Sequence, residues 1–128
     1  MKILGIGVDI IKNKRIALLT KNKIFIERTF GKNELISFKK KRNNTNYLAK
    51  RFAAKEAFAK SLGSGFRNNL NFRDIEILND KMGRPYYLIS KKIDKIIFKK
   101  FKTNKYNLFL SITDEKEYSA AFTILQKK

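Results

Sequence analysis

The chain has 128 residues, 43% of them hydrophobic, and sets 30 Lys and Arg against 11 Asp and Glu for a formal charge of +19. That length suits one domain with a sizeable core, spanning residues 1–128, and excludes two ordinary ones. Because histidine and cysteine are both absent, His-based triads, zinc centres, imidazole bases, disulfides and thiolate nucleophiles are excluded, and acid–base work falls to carboxylates, lysines or metal-bound water.

No apolar run approaches the roughly 18 residues of a membrane span, and charge interrupts the opening segment Met1 to Asp9 too soon for a signal peptide. The expectation is a soluble cytoplasmic protein that does not enter a membrane. A positive field of this size attracts polyanions: nucleic acid, an anionic surface, a nucleotide cofactor or an acidic protein. Lys, Asn, Ile and Phe are all abundant, as in a gene under A+T pressure, so part of the charge is surface filler. The run Lys39-Lys40-Lys41-Arg42-Asn43-Asn44 reads as a solvated loop, with docking as the alternative.

Residues 2–10 predict a strand with Leu4, Ile6, Val8 and Ile10 on one face and Ile3, Gly5, Gly7 and Asp9 on the other. The glycines admit either a ligand or another backbone close to the Asp9 carboxylate, or mark a bulge or crowded packing contact. A short helix holding Arg15 is predicted over 11–20 and a second near Lys32 to Phe38. A long third runs from about Thr45 to Leu62, capped by Thr45 or Asn44 and stopped by Gly63.

The period then changes. Phe72 to Asn79 alternates, Asp80-Lys81-Met82-Gly83 makes a turn, and Pro85 to Ile89 returns as a hairpin partner. Ser90 caps a helix carrying Ile93, Ile96 and Ile97. Two strands close the chain, about 106–112 and 117–125, the second alternating Tyr118, Ala120, Phe122 and Ile124 with Ser119, Ala121, Thr123 and Leu125. Helices early and hairpins late give an α+β fold without repeats or linkers.

The long helix carries the most informative segment, Arg51-Phe52-Ala53-Ala54-Lys55-Glu56-Ala57-Phe58-Ala59-Lys60, running into Gly63-Ser64-Gly65. Leu48, Phe52, Glu56 and Lys60 are four apart and share a stripe, so an acid and a base follow two apolar residues. Taken alone, Glu56 and Lys60 form an ordinary i, i+4 ion pair of about 0.2–0.5 kcal/mol. A second carboxylate is needed to make them a site, and Asp9 is the candidate.

Gly7-x-Asp9 with Arg15-Ile16, the 51–60 helix with Gly63-Ser64-Gly65, and Asn79-Asp80-Lys81-Met82-Gly83-Arg84-Pro85 closely resemble the bacterial holo-acyl-carrier-protein synthases, small 4′-phosphopantetheinyl transferases. The motifs keep that family's order and spacing, and the likeness continues through Leu110-Ser111-Ile112-Thr113-Asp114 to the last strand. The resemblance implies transfer of phosphopantetheine from coenzyme A to a serine of apo-acyl carrier protein in fatty acid biosynthesis, with Mg²⁺ required and adenosine 3′,5′-bisphosphate released. It also implies a homotrimer with active sites at subunit interfaces.

On that resemblance Asp9 and Glu56 are the metal ligands and, with Lys60, the catalytic set. A hard Mg²⁺ ion suits two carboxylates, phosphate oxygens and water. Lys60 would touch the diphosphate, while Lys55, on another side of the helix, would meet the cofactor's phosphates or a neighbouring subunit. Gly63, Ser64 and Gly65 would give the coenzyme room, although Gly63 and Gly65 also serve as a helix cap. Arg84 and Pro85 would border the adenine nucleotide, Ser111 and Thr113 would line the same ligand, and Arg15 would face the acidic carrier protein. Metal-bound water is the favoured base, with a nearby carboxylate as the alternative.

Two positions depart from the family. Lys12 stands where many members have an acid, and Asp114 where many have histidine. The rival reading is a small basic nucleic-acid-binding module, suggested by charge and by aromatics among lysines. Against it, Phe52, Phe58, Phe72 and Phe122 lie on apolar periodicities expected to fill the core, and Asp9 and Glu56 would repel phosphate unless a metal intervened. A fold member that has lost activity is disfavoured by the intact Asp9, Glu56 and Lys60.

Overall fold

The computed structural model describes residues 1–41, 45–67 and 69–128. Arg42, Asn43 and Asn44 lie outside the described residues, as does the side-chain cap assigned to Asn44 or Thr45. Strands β1 (Lys2–Lys12), β4 (Tyr106–Asp114) and β5 (Tyr118–Lys127) form an antiparallel sheet in the order β1-β5-β4, and β2 (Glu76–Asn79) pairs with β3 (Pro85–Leu88) in a separate hairpin. Helix α4 (Thr45–Ser61) lies across one face of the sheet. The remaining helices are α1 (Asn13–Leu19), which packs against α4; α2 (Lys23–Thr29); α3 (Lys32–Lys40), which packs against β2; and α5 (Lys91–Phe101). This is the mixed α+β architecture the alternation of periods predicts.

The alanines of α4 explain how it packs. Ala49, Ala53, Ala54, Ala57 and Ala59 are all buried, and a Cβ built on Gly5 would stand 1.8 Å from the Ser61 carbonyl oxygen, one on Gly7 1.8 Å from that of Ala57. Glycine on the strand and alanine on the helix therefore let two backbones touch. The backbone that Gly5 and Gly7 admit is the helix. A register shift between Ile3 and Gly5 turns Leu4 toward the core and away from the outward face of Ile6, Val8 and Ile10.

The same crowding reverses the face expected of β5. Its alternation is present, but Ser119, Ala121, Thr123 and Leu125 point inward and are buried, whereas Phe122 faces out at 41% exposure. Phe122 therefore does not fill the core. Small inward residues make space for α4, and their hydroxyls are satisfied: Ser119 Oγ donates to Asn13 Oδ1 at 2.6 Å, and Thr123 Oγ1 lies 2.6 Å from the Tyr87 hydroxyl. Tyr87 donates in turn to the Ala54 carbonyl at 2.7 Å, tying the hairpin to α4 and β5.

Sequence periodicity misses α2, which is only seven residues long and shows two turns of pattern. Its signal is Asn22, whose Oδ1 accepts from the backbone N–H groups of Ile24 at 2.9 Å and Phe25 at 3.3 Å. The stretch before β2 begins with a 3₁₀ turn over Phe72–Asp74 rather than extended chain. Helix α5 starts as expected, with Ser90 Oγ accepting from Ile93 N at 3.2 Å.

Candidate active site

Asp9 follows Gly5 and Gly7 on the inward face of β1, two residues past the point of closest approach to α4. Its side chain is 16% exposed and receives the Lys60 ammonium at 3.2 Å, while the same ammonium donates to the Val8 carbonyl at 2.9 Å. The helix thus sends a lysine back to the strand. This corrects the simplest expectation for α4, because the ion partner of Lys60 is Asp9, not Glu56.

Glu56 lies one helical turn before Lys60, half-buried, and among the described residues it makes no hydrogen bond or ion pair. Burial raises its carboxyl above the ordinary carboxylate value, and the Asp9 charge raises it further; Lys60 and Arg15 pull the other way. That ordering places Asp9, Glu56, Lys60 and Arg15 within one electrostatic neighbourhood drawn from β1, α1 and α4. Two carboxylates within one another's field, one of them without a partner among the described residues, fit a hard divalent cation that also takes phosphate oxygens and water. Among the described residues no group of three or more Asp, Glu, His or Cys forms a complete protein cage.

Lys55 is the correction. Its side chain is fully buried and faces away from this neighbourhood, 2.6 Å from Glu34 Oε1, and it also donates to the Phe72 carbonyl at 2.9 Å and to that of Ile75. All three ammonium protons are used inside the protein, so none is left for a cofactor phosphate. Burial lowers the Lys55 ammonium and raises the Glu34 carboxyl from their ordinary values, with the pairing opposing both shifts. Glu34 is further held by the Gly31 N–H at 3.0 Å and the Ile77 N–H at 3.1 Å. The pair bolts α3, α4 and β2 together.

Gly63 and Gly65 both adopt left-handed φ values, +78° and +64°, and close α4 through Gly63 N to Lys60 O at 3.0 Å and Gly65 N to Ala59 O at 3.2 Å. They cap the helix that carries Glu56 and Lys60, with Ser64 between them. Lys100 Nζ lies 3.3 Å from where a Gly63 Cβ would sit, beside a cleft of about 690 Å³ lined by Asn69, Lys95, Ile96, Lys99 and Lys100. Arg84 is exposed and its N–H donates to Asp80 Oδ1 at 2.9 Å; Pro85 opens β3. Ser111 and Thr113 pair with Phe122 and Ala120 and share their outward face, so within one chain they lie on the side of the sheet opposite Asp9. Asp114 ends β4, and Lys12 is exposed at the end of β1.

Sequence reasoning passes over Glu34 and assigns no role to Arg51, although Arg51 opens the motif helix. Arg51 is buried with its guanidinium carbon 3.4 Å from the Tyr47 ring centroid, donates to Asn79 Oδ1, and has no Nε partner among the described residues. Both sit at helical spacings that look like surface charge, and only their tertiary partners reveal them. Of the rings weighed against a nucleic-acid reading, Phe52 and Phe58 are buried and Phe72 stacks on Phe52 at 5.1 Å, whereas Phe122 is exposed on the outer sheet face.

The family model of the 4′-phosphopantetheinyl transferase superfamily matches residues 5–123, nearly the whole described fold. The chain belongs to that superfamily. Within it, the similarity is to holo-[acyl-carrier-protein] synthases: one from Pelagibacter ubique is 56% identical over 128 residues, with 100% of both chains covered. The structure of the Neisseria meningitidis holo-[acyl-carrier-protein] synthase superposes with a TM-score of 0.88 at 38% identity, covering 98% of this chain and 99% of that one. That from Bacillus anthracis, solved in complex with CoA (3′,5′-ADP), gives a TM-score of 0.81 at 34% identity with 100% of both chains covered.

Proposed function

We infer that the chain, acting as one domain over residues 1–128, transfers the 4′-phosphopantetheine group of coenzyme A to a serine of apo-acyl carrier protein. The serine hydroxyl gives its proton to water or a nearby carboxylate as its oxygen forms a bond to the phosphorus that bears pantetheine, the diphosphate bridge to that phosphorus breaks, and adenosine 3′,5′-bisphosphate leaves. The convergence of Asp9, Glu56 and Lys60 carries this reading. Phosphoryl transfer needs positioning and neutralisation of charge more than covalent chemistry, and these three supply both.

Asp9 and Glu56 would hold Mg²⁺, which when bound neutralises phosphoryl oxygens. Lys60 reaches the same place from the next helical turn and offsets charge on the 5′-phosphate that leaves with adenosine. Gly63, Ser64 and Gly65 give the coenzyme a close approach to the end of α4. Arg84 and Pro85 would border the nucleotide. Arg15, exposed on α1 yet within the field of Glu56, fits a docking contact for an acidic carrier protein, and the charge of +19 favours that encounter.

A homotrimer accounts for the outer face of the sheet. Val8 and Ile10 are 59% and 66% exposed there, beside Phe122 and Phe109, an apolar surface that a monomer would leave in water. Ser111 and Thr113 share that face, so covering it with a second copy would set them against a neighbouring subunit. The expected setting is the cytoplasm; among the described residues no helix is long and apolar enough to cross a membrane.

The test is direct. Incubation with coenzyme A, Mg²⁺ and apo-acyl carrier protein should add one phosphopantetheine to the carrier by mass spectrometry, and Glu56→Gln and Asp9→Asn should abolish the addition while the circular dichroism spectrum is kept. An unmodified carrier across a range of salt concentrations would refute the reading; near-normal turnover by either variant would refute the metal assignment.

A further inference from the structure

We propose that Lys60 is a built-in counter-ion that competes with a divalent cation for Asp9, so that the metal and the coenzyme's diphosphate enter the site as a coupled pair. The proposal rests on the reading of Asp9 and Glu56 as the metal-holding carboxylates. It adds a second task for Lys60 beyond offsetting charge on the leaving group.

The ammonium is fixed on β1 by two acceptors, Asp9 Oδ1 at 3.2 Å and the Val8 carbonyl at 2.9 Å, although its side chain leaves from α4 and is 53% exposed. The second acceptor matters because it is neutral: the lysine is seated at Asp9 as well as attracted to it. Glu56, nearer along the helix, is left without an ion partner among the described residues. A divalent cation drawn to Asp9 therefore meets a positive charge already bonded to one of its oxygens. A diphosphate offers that ammonium a more highly charged set of acceptors. Transfer of Lys60 from Asp9 to phosphate frees the carboxylate at the moment the phosphate brings its own oxygens for the cation. Because linkage is reciprocal, the factor by which coenzyme A tightens metal binding equals that by which metal tightens coenzyme A.

The experiment titrates Mn²⁺ into the full-length protein and reads free Mn²⁺ by electron paramagnetic resonance, with and without coenzyme A. Lys60→Gln should bind Mn²⁺ without coenzyme A about three- to fivefold more tightly than the parent, the range an exposed ion pair supports. The enhancement by coenzyme A should shrink by at least that factor, and Lys60→Arg should behave like the parent. Arg15→Gln removes one charge from the same field without touching Asp9, and should shift the affinity by less than half as much. Mn²⁺ affinity in Lys60→Gln equal to or weaker than the parent's would overturn the competition, as would an equal gain in Arg15→Gln. If no variant holds Mn²⁺ even with coenzyme A, the metal assignment of Asp9 and Glu56 fails, and the competition with it; metal binding that is unchanged across the series defeats the competition alone.

Discussion

Replacing Lys55 with methionine is expected to destabilise the fold without weakening coenzyme binding. Methionine fills much of the same space but supplies no donor, which leaves the Glu34 carboxylate with only the Gly31 and Ile77 N–H groups and strips the Phe72 and Ile75 carbonyls of a partner. Both charged side chains are 0% exposed, so water does not compensate. Breaking a buried pair by removing one member costs about 3–5 kcal/mol. Against a total of about 5–15 kcal/mol for a domain this is a large fraction. At roughly 3–5 °C per kcal/mol for a chain of this size, the melting temperature should fall by about 9–25 °C. Thermal melts followed by circular dichroism measure the loss, and steady-state kinetics at a temperature where the variant is folded measure KM for coenzyme A, expected within about twofold of the parent. A Glu34→Leu, Lys55→Met double variant should recover part of the stability, since apolar replacement of both members is often neutral. A melting temperature within two or three degrees of the parent, together with a tenfold rise in KM, would refute this reasoning and return Lys55 to the phosphates.

Gly7→Ala places a Cβ 1.8 Å from the Ala57 carbonyl oxygen, a backbone atom that cannot swing aside; a loss of about 1–3 kcal/mol or more in urea unfolding is expected, and an unchanged midpoint would contradict the contact. Burial raises the Tyr87 phenol above its ordinary value, so its contribution to stability is present below about pH 10 and is lost as the pH rises beyond it, by up to about 1.4 kcal/mol per pH unit. Urea midpoints of the parent and Tyr87→Phe should therefore differ at pH 8 and converge toward pH 11, and a constant gap would exclude the phenol. If the proposed homotrimer uses the outer sheet face, the parent should sediment as three chains and Phe122→Glu, which puts a charge into that face, as one; a parent that sediments as one chain, or a variant that keeps the parent's mass, would refute that contact.

Legibility in the sequence followed the kind of physics each feature obeys. Helices α4 and α5 and strands β1, β4 and β5 were readable because long periods and local caps such as Ser90 are written in neighbouring residues. The direction of β5 was not, because hydrophobicity assigns Phe122 inward, and only the nearness of α4 makes Ser119 and Thr123 the residues that fit inside. Asp9, Glu56 and Lys60 could be nominated by motif, but their spacing could not say that Lys60 turns from Glu56 to Asp9. Lys55 was misread for a related reason: charge next to a reactive carboxylate suggests a ligand, and its true partner, Glu34, lies 21 residues away in the chain.

The glycine stripe decides where the site falls. Two residues along a strand advance about 6.8 Å, and four along a helix about 6 Å. Gly5 against Ser61 and Gly7 against Ala57 are therefore successive contacts of one antiparallel line in which neither backbone needs to bend. Asp9 is the next inward position on that line and the first to carry a side chain of any reach. It emerges where α4 has just been held at backbone contact, beside the helix face that presents Glu56 and Lys60. A larger residue at position 7 would lift the helix away from the strand, and the Lys60 ammonium, which bonds both Asp9 and the Val8 carbonyl, would lose its seat along with the packing. If Asp9, Glu56 and Lys60 are the proposed catalytic set, stability and catalysis meet at the same two glycines, and the functional cost of Gly7→Ala should exceed what its loss of folding free energy alone would give.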